Sequence, residues 1–227
     1  MRVLAIDTAL GACSAAVLDT AYGGILASES LAMTRGHAEA LMPLLAMVMK
    51  ASGMTFGDLD RVVVTTGPGS FTGLRVGISA ARGIGVATGM PVVGVSTLSA
   101  YAAPYLAGAE TVPVVAAIDA RHQHVYLQAF GADGRTLIAP RLAALSDAVR
   151  AASNTASCIV GSAAQAVAGG LSQSAPAPVT IDARDAPDID WVAQIGAVAP
   201  ETNVPPKPQY LRAPDAQPQN ASQLPRR

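Results

Sequence analysis

Val62-Val63-Val64-Thr65-Thr66-Gly67-Pro68-Gly69-Ser70-Phe71-Thr72-Gly73-Leu74-Arg75-Val76 is the stretch that decides the fold. Five β-branched residues in succession describe a strand buried on both faces, the habit of strands in parallel sheets. A Gly-Pro-Gly turn ends it. From Thr72 to Thr88 the chain reads as a helix, and Pro91-Val92-Val93-Gly94-Val95 as the next strand. Strand, helix and strand in that order argue for a right-handed parallel crossover, and so for an α/β protein.

Upstream, Arg2 to Ile6 and Cys13 to Leu18 read as strands around the turn Asp7-Thr8-Ala9-Leu10-Gly11, with a third strand at Ile25 to Leu31. From Gly36 to Ser52 the spacing turns helical. Ala38, Leu41, Met42, Leu45, Val48 and Met49 mark one face, and Leu44, Met47 and Ala51 add a second. That apolar stripe is wider than one sheet-facing side requires. It fits a deeply buried helix or a partner surface. Pro43 is expected to kink this helix or to mark its first turn.

Downstream, Ser96 can cap a helix running to about Leu106, and Val112 to Asp119 and Val125 to Phe130 read as strands. Gly131 to Ala156 is weakly patterned, with one helix near Leu145 to Ala152. Cys158 to Gly161 is a short apolar run leading into a small-residue helix. Ser172 to Pro187 reads as irregular, and Trp191 to Val198 as a last helix. A strand-turn-strand unit at the start of each half hints at duplication.

Composition narrows the function. Of 227 residues, 51% are hydrophobic and 14% charged, which excludes a disordered chain. No apolar run approaches the roughly 18 residues of a membrane-spanning helix. The N-terminus turns acidic at Asp7, unlike a signal or transit peptide, so the expected location is cytoplasmic. Fifteen basic residues balance 16 acidic ones without a basic run before Arg226-Arg227. Such a chain lacks the basic face that holds nucleic acid directly. Cys13 and Cys158, far apart in sequence, read as buried thiols.

Several residues can carry chemistry. Gly67 and Gly69, ahead of a helix start, allow an anion cradle, although no Lys-Ser or Lys-Thr pair makes this a P-loop. The same pattern fits a plain structural turn. Asp7 and Thr8, at the end of the first strand, fit either a hydrated Mg²⁺ held for a nucleotide or an Asx turn. Gly73, Gly77, Ala81 and Gly85 fall four residues apart on one stripe of the second helix. Small residues there admit a second helix closely, inside the protein or across an interface. His122 and His124 share a face but are too few to hold a metal. Ser70 and Ser96 lack a nucleophile elbow.

These motifs also carry a resemblance. Ile6-Asp7-Thr8, Cys13-Ser14, Gly67 to Arg75, Gly94-Val95-Ser96-Thr97-Leu98, Ile118-Asp119-Ala120-Arg121 with Val125-Tyr126, and Tyr210-Leu211-Arg212 resemble the TsaB (YeaZ) family. The resemblance implies an actin/Hsp70-like (ASKHA) α/β fold of mixed sheets flanked by helices, with lobes over 1–100 and 101–212. The last segment of the second lobe is expected to pack back on the first, and 213–227 to be a disordered tail.

The implied role is a noncatalytic subunit in making threonylcarbamoyladenosine on tRNA. The implied partners are TsaD, the transferase paralogue, with TsaE and a second copy of the chain; tRNA is met only indirectly. The implied partner interface comprises His37, Leu41, Leu45, Val48, Gly73, Val76, Gly77, Ala80, Ala81 and Ile84. A nucleotide is expected, if anywhere, at the subunit boundary, with Asp7, Thr8, Gly67 and Gly69 as its possible contacts. TsaD carries a His-x-x-x-His pair after the strand matching Pro91 to Val95. Here that stretch reads Ser96-Thr97-Leu98-Ser99-Ala100, so no metal site and no catalytic residue is expected. The competing readings are an active ATP-dependent ASKHA enzyme, which Asp7, Thr8 and the glycine loop favour, and a homodimeric binding module.

Overall fold

A computed structural model of the protein describes residues 1–108, 111–201 and 204–212. The run at Val62 forms β4 (Arg61–Gly67), which lies parallel to β1 (Arg2–Asp7) on one side and β5 (Val92–Ser96) on the other. Helix α2 (Phe71–Thr88) makes the crossover. Antiparallel pairing of β1 with β2 (Ala12–Asp19), and of β2 with β3 (Gly24–Ala32), completes a sheet of order β3-β2-β1-β4-β5.

The second sheet repeats this plan. β6 (Val114–Asp119), β7 (His124–Phe130) and β8 (Thr136–Ala144) form the meander, and β9 (Cys158–Val160) and β10 (Thr180–Asp182) add the parallel strands. Read from β8, its order is β8-β7-β6-β9-β10, strand for strand the first sheet's. The hinted duplication therefore extends to every strand. It reaches single residues: Gly67 closes β4 and Gly161 directly follows its equivalent β9, with φ of 106° and 103°. Side chains rarely take that conformation.

Both sheets bury both faces, and strand alternation sorts their residues. In the first sheet, Leu4, Ile6, Val62 and Val64 face α1 (His37–Ser52) and α2. Val3, Ala5 and Val63 face α6 (Ile189–Val198). In the second, Val114, Ala116 and Ile118 face α3 (Thr97–Leu106). Val115 and Ala117 face α4 (Leu145–Ala152) and α5 (Ala164–Gly169). Thus α3, which follows the first sheet, packs on the second, and α6, which follows the second, packs on the first. Residue 100 falls inside α3.

A buried cation fastens α6. The Arg61 side chain is 4% exposed, and its Nη1 donates to the carbonyls of Gly196 (2.7 Å) and Ala199 (2.8 Å) while Nη2 meets Glu201 at 2.7 Å. The orphan carbonyls of a helix end thus gain a charged donor.

Some expectations need correction. β8 falls where the sequence was weakly patterned: it is an edge strand, largely exposed, and an edge tolerates Pro140. β10 interrupts the irregular segment with only three residues. α1 runs unbroken through Pro43, which lies past its first turn. The tail expected to be disordered, 213–227, lies outside the described residues. No helix among the described residues is long and apolar enough to cross a membrane.

Candidate functional site

The carboxyl ends of β1 and β4 meet under the Gly67–Ser70 loop. Ser70 N donates to the Ala9 carbonyl at 2.7 Å, and a Cβ on Gly69 would overlap that carbonyl oxygen. The loop therefore lies flat on the β1–β2 turn. Ser70 caps α2, its hydroxyl accepting from Gly73 N at 3.3 Å.

This closure decides Asp7 and Thr8, which are 0% and 1% exposed. Asp7 Oδ1 accepts from Ala9 N at 3.0 Å and from the Thr65 hydroxyl, so the carboxylate forms an Asx turn. Thr8 Oγ1 donates to the Gly73 carbonyl at 2.7 Å. Of the four residues read as possible nucleotide contacts, only Gly69 lines the cleft between the two sheets. Asp7 and Thr8 are sealed, and Gly67 lies beneath the Gln209 backbone.

Asp7 Oδ2 has no hydrogen-bond partner, and burial holds the carboxyl above its ordinary range against the pull of Thr65 and Ala9. A raised carboxyl stabilises the fold below its unfolded-state value of about 4 and loses that contribution as pH rises through its folded value. Asp7→Asn keeps the acceptor and cannot ionise. It is expected to melt above the parent at neutral pH, with the gap closing toward pH of about 4. A gap that does not change across that range in thermal melts would contradict the assignment.

The cleft itself has a volume of about 370 Å³ and lies between this loop and the β6–β7 turn. Ser70 and Phe71 line one wall, Asp119 and Arg121 the other, and Tyr210 and Arg212 a third. Asp119 is the exposed counterpart of sealed Asp7 in the duplicated plan, its Oδ1 accepting from Arg121 N at 2.8 Å. Arg121, His122 and Gln123 all take left-handed backbone conformations. His122 and His124 are tied locally, His124 Nδ1 donating to the His122 carbonyl at 2.7 Å.

The expected interface residues divide. His37, Leu41, Leu45, Val48, Gly73, Gly77 and Ala81 are buried inside this chain, while Val76, Ala80 and Ile84 are half-buried at the rim of the same core. His37 Nε2 donates to the Leu10 carbonyl at 3.1 Å. The small-residue stripe meets the chain's own sheet. A Cβ at Gly73 would overlap the Thr8 carbonyl, one at Gly77 would lie 2.5 Å from Thr8 Oγ1, and one at Gly85 would overlap Val92. The stripe seats α2 on β1, β4 and β5, and it does not face a second helix. The outward face of these helices carries other residues: Ala38, Met42, Ala46 and Met47 on α1, and Ser79, Gly83 and Val86 on α2. Met42 is 55% exposed, Met47 47% and Val86 87%.

Comparison with known proteins identifies this architecture. The family model described as TsaD, tRNA N6-adenosine threonylcarbamoyltransferase, matches residues 13–180. The tRNA threonylcarbamoyladenosine biosynthesis protein TsaB of Escherichia coli is 37% identical over 126 residues, 56% of this chain and 53% of that protein. YeaZ from Pseudomonas aeruginosa superposes with a TM-score of 0.72 at 26% identity, covering 86% of this chain and 90% of that one. The chain belongs to the TsaB/YeaZ branch of this family. An uncharacterized protein of Mycobacterium tuberculosis, 33% identical over 220 residues, extends the match to 95% of this chain and 94% of its own. The match to the Escherichia coli TsaB spans about half of that protein's length. The two-lobed TsaB/YeaZ fold accounts for the paired sheets.

Sequence reasoning missed the Phe71–Arg75–Tyr210 cluster at the cleft mouth, where the Phe71 and Tyr210 rings stack 5.0 Å apart and Arg75 lies over Phe71. Tyr210-Leu211-Arg212 was legible only as a family motif. Nothing in its spacing placed it beside α2, 135 residues away.

Proposed function

We propose that this chain is a noncatalytic scaffold that binds a TsaD-type transferase through the outward face of α1 and α2, supporting transfer of the threonylcarbamoyl group to tRNA. The observation that carries this reading is the exposure of Met42, Met47 and Val86 on two neighbouring helices. Large apolar side chains left outside the core on adjacent helices suit a partner surface, and methionine adapts to varied partners. The sealing of Asp7 and Thr8 favours the noncatalytic reading over an ATP-dependent enzyme, because neither reaches a cleft ligand. A nucleotide sits at the boundary between subunits. The same helical face serves a second copy of the chain when TsaD is absent, and TsaE joins the assembled pair. The setting is cytoplasmic.

Co-expression with the same organism's TsaD tests this. A stable complex that co-elutes in size-exclusion chromatography is expected, together with loss of threonylcarbamoyladenosine from total tRNA when this protein is depleted. Separate elution at micromolar concentrations, or unchanged modified tRNA after depletion, overturns the reading.

A further inference from the structure

We propose that residues 209–212 form a latch that holds the cleft between the two sheets closed, with Tyr210 clasped by Phe71 and Arg75. The segment is anchored on the first sheet by Gln209 N, which donates to the Thr66 carbonyl at 2.7 Å. Its Tyr210 ring stacks on Phe71 with centroids 5.0 Å apart and planes at 29°. Arg75 closes the cluster, its guanidinium carbon 3.8 Å from the Phe71 centroid and its Nε donating to Tyr210 Oη at 3.0 Å. The chain then crosses to the second sheet, where Arg212 Nη1 donates to the Ala120 carbonyl at 2.9 Å. This four-residue segment therefore binds the end of β4, the first two turns of α2 and the β6–β7 turn, and forms one wall of the cleft.

The location gives these contacts leverage. Away from the cleft wall, the halves meet through the packed helices α3 and α6 and through bonds such as Gly11 N to the Asp185 carbonyl (3.1 Å). Packed helices permit small sliding motions that open and close a cleft. The latch spans the opening by hydrogen bonds to both walls, beside Leu10, which lines the cleft and packs on core clusters of both sheets. Its clasp is accessible, with Phe71 38% and Tyr210 41% exposed, so it can be released without unfolding a core. Arg75 is also exposed and lies one turn before Ser79 on the outward face of α2. A carboxylate of a bound partner that captures Arg75 removes a clasp on Tyr210, and opening the cleft in turn frees Arg75 for that partner. This coupling rests on the proposed partner face; the latch does not.

Hydrogen–deuterium exchange on the full chain without any partner tests the latch separately from the partner reading. In Tyr210→Ala and Arg75→Gln, peptides covering 66–72 and 119–126 are expected to exchange about tenfold faster, with β1 and β2 at the parental rate. Tyr210→Phe, which keeps the stack and loses the Arg75 bond, is expected to fall between. Parental rates in both peptides of both variants overturn the latch. Acceleration spread equally through β1 and β2 overturns it as well, because the segment is then an ordinary part of the cooperative fold.

Discussion

Leucine at position 77 is expected to cost about 3 kcal/mol or more of folding stability, the upper range for overpacking a closed seam. The first atom of the new side chain already meets Thr8 Oγ1 at 2.5 Å and Val64 Cγ2 at 3.5 Å. Thr8 cannot yield cheaply, because that hydroxyl holds the Gly73 carbonyl and with it the first turn of α2. The helix must lift instead, drawing Leu74, Ile78 and Ala81 out of the core they share with β1, β4 and α1. Gly83, with open space where a Cβ would go, provides the contrast. Gly83→Ala is expected to be neutral or stabilising by up to about 1 kcal/mol, since alanine is the better helix former. Urea unfolding of both variants measures the difference. A parental midpoint for Gly77→Leu would mean that the stripe faces outward. The substitution is therefore a probe of helix-on-sheet seating, and weakened partner capture by such a variant would report on folding.

That stripe shows where sequence legibility stops. Four-residue spacing names one face of a helix, but it does not say whether the face meets a helix or a sheet. The β4–α2–β5 crossover was legible because a β-branched run buried on both faces and flanked by turn residues has few other solutions. β8 was not legible, because an edge strand paired on one side keeps little apolar alternation and accepts Pro140. The fate of Asp7 depended on a loop about sixty residues later lying over it, and both of its sequence readings were chemically sound until Ser70 N was found on Ala9 O. Arg61 drew no reading from the sequence, yet as the first residue of β4 it has its guanidinium buried on carbonyls 135 residues away. In each case local pattern identified the element, and a long-range contact decided the side chain's role.

A carboxylate on the outward face of α1 and α2 is expected to weaken capture of the TsaD-type partner by at least about a hundredfold while leaving the melting temperature near the parent's. Met42 and Val86 are the positions to change, because both are more than half exposed and neither belongs to a core cluster. Substitutions at such sites shift stability by only about 0.5 kcal/mol either way. Their cost arises only when a partner covers them and strands a charge without water or a counterion. The two positions are not equivalent. Aspartate at 86 falls four residues after Arg82, and α2 carries Arg75 and Arg82 with no acidic residue, so part of its charge is met locally. Aspartate at 42 falls three residues after Glu39 and gains no such relief. Met42→Asp should therefore be the more damaging of the single changes, and the double variant worse than either. Titration calorimetry against purified partner, paired with thermal melts of the free chain, reads both quantities. Parental affinity in the double variant would remove this face from the interface. Because the free chain folds independently of these two side chains, a lost affinity can be assigned to the surface, the separation that a change at Gly77 cannot provide.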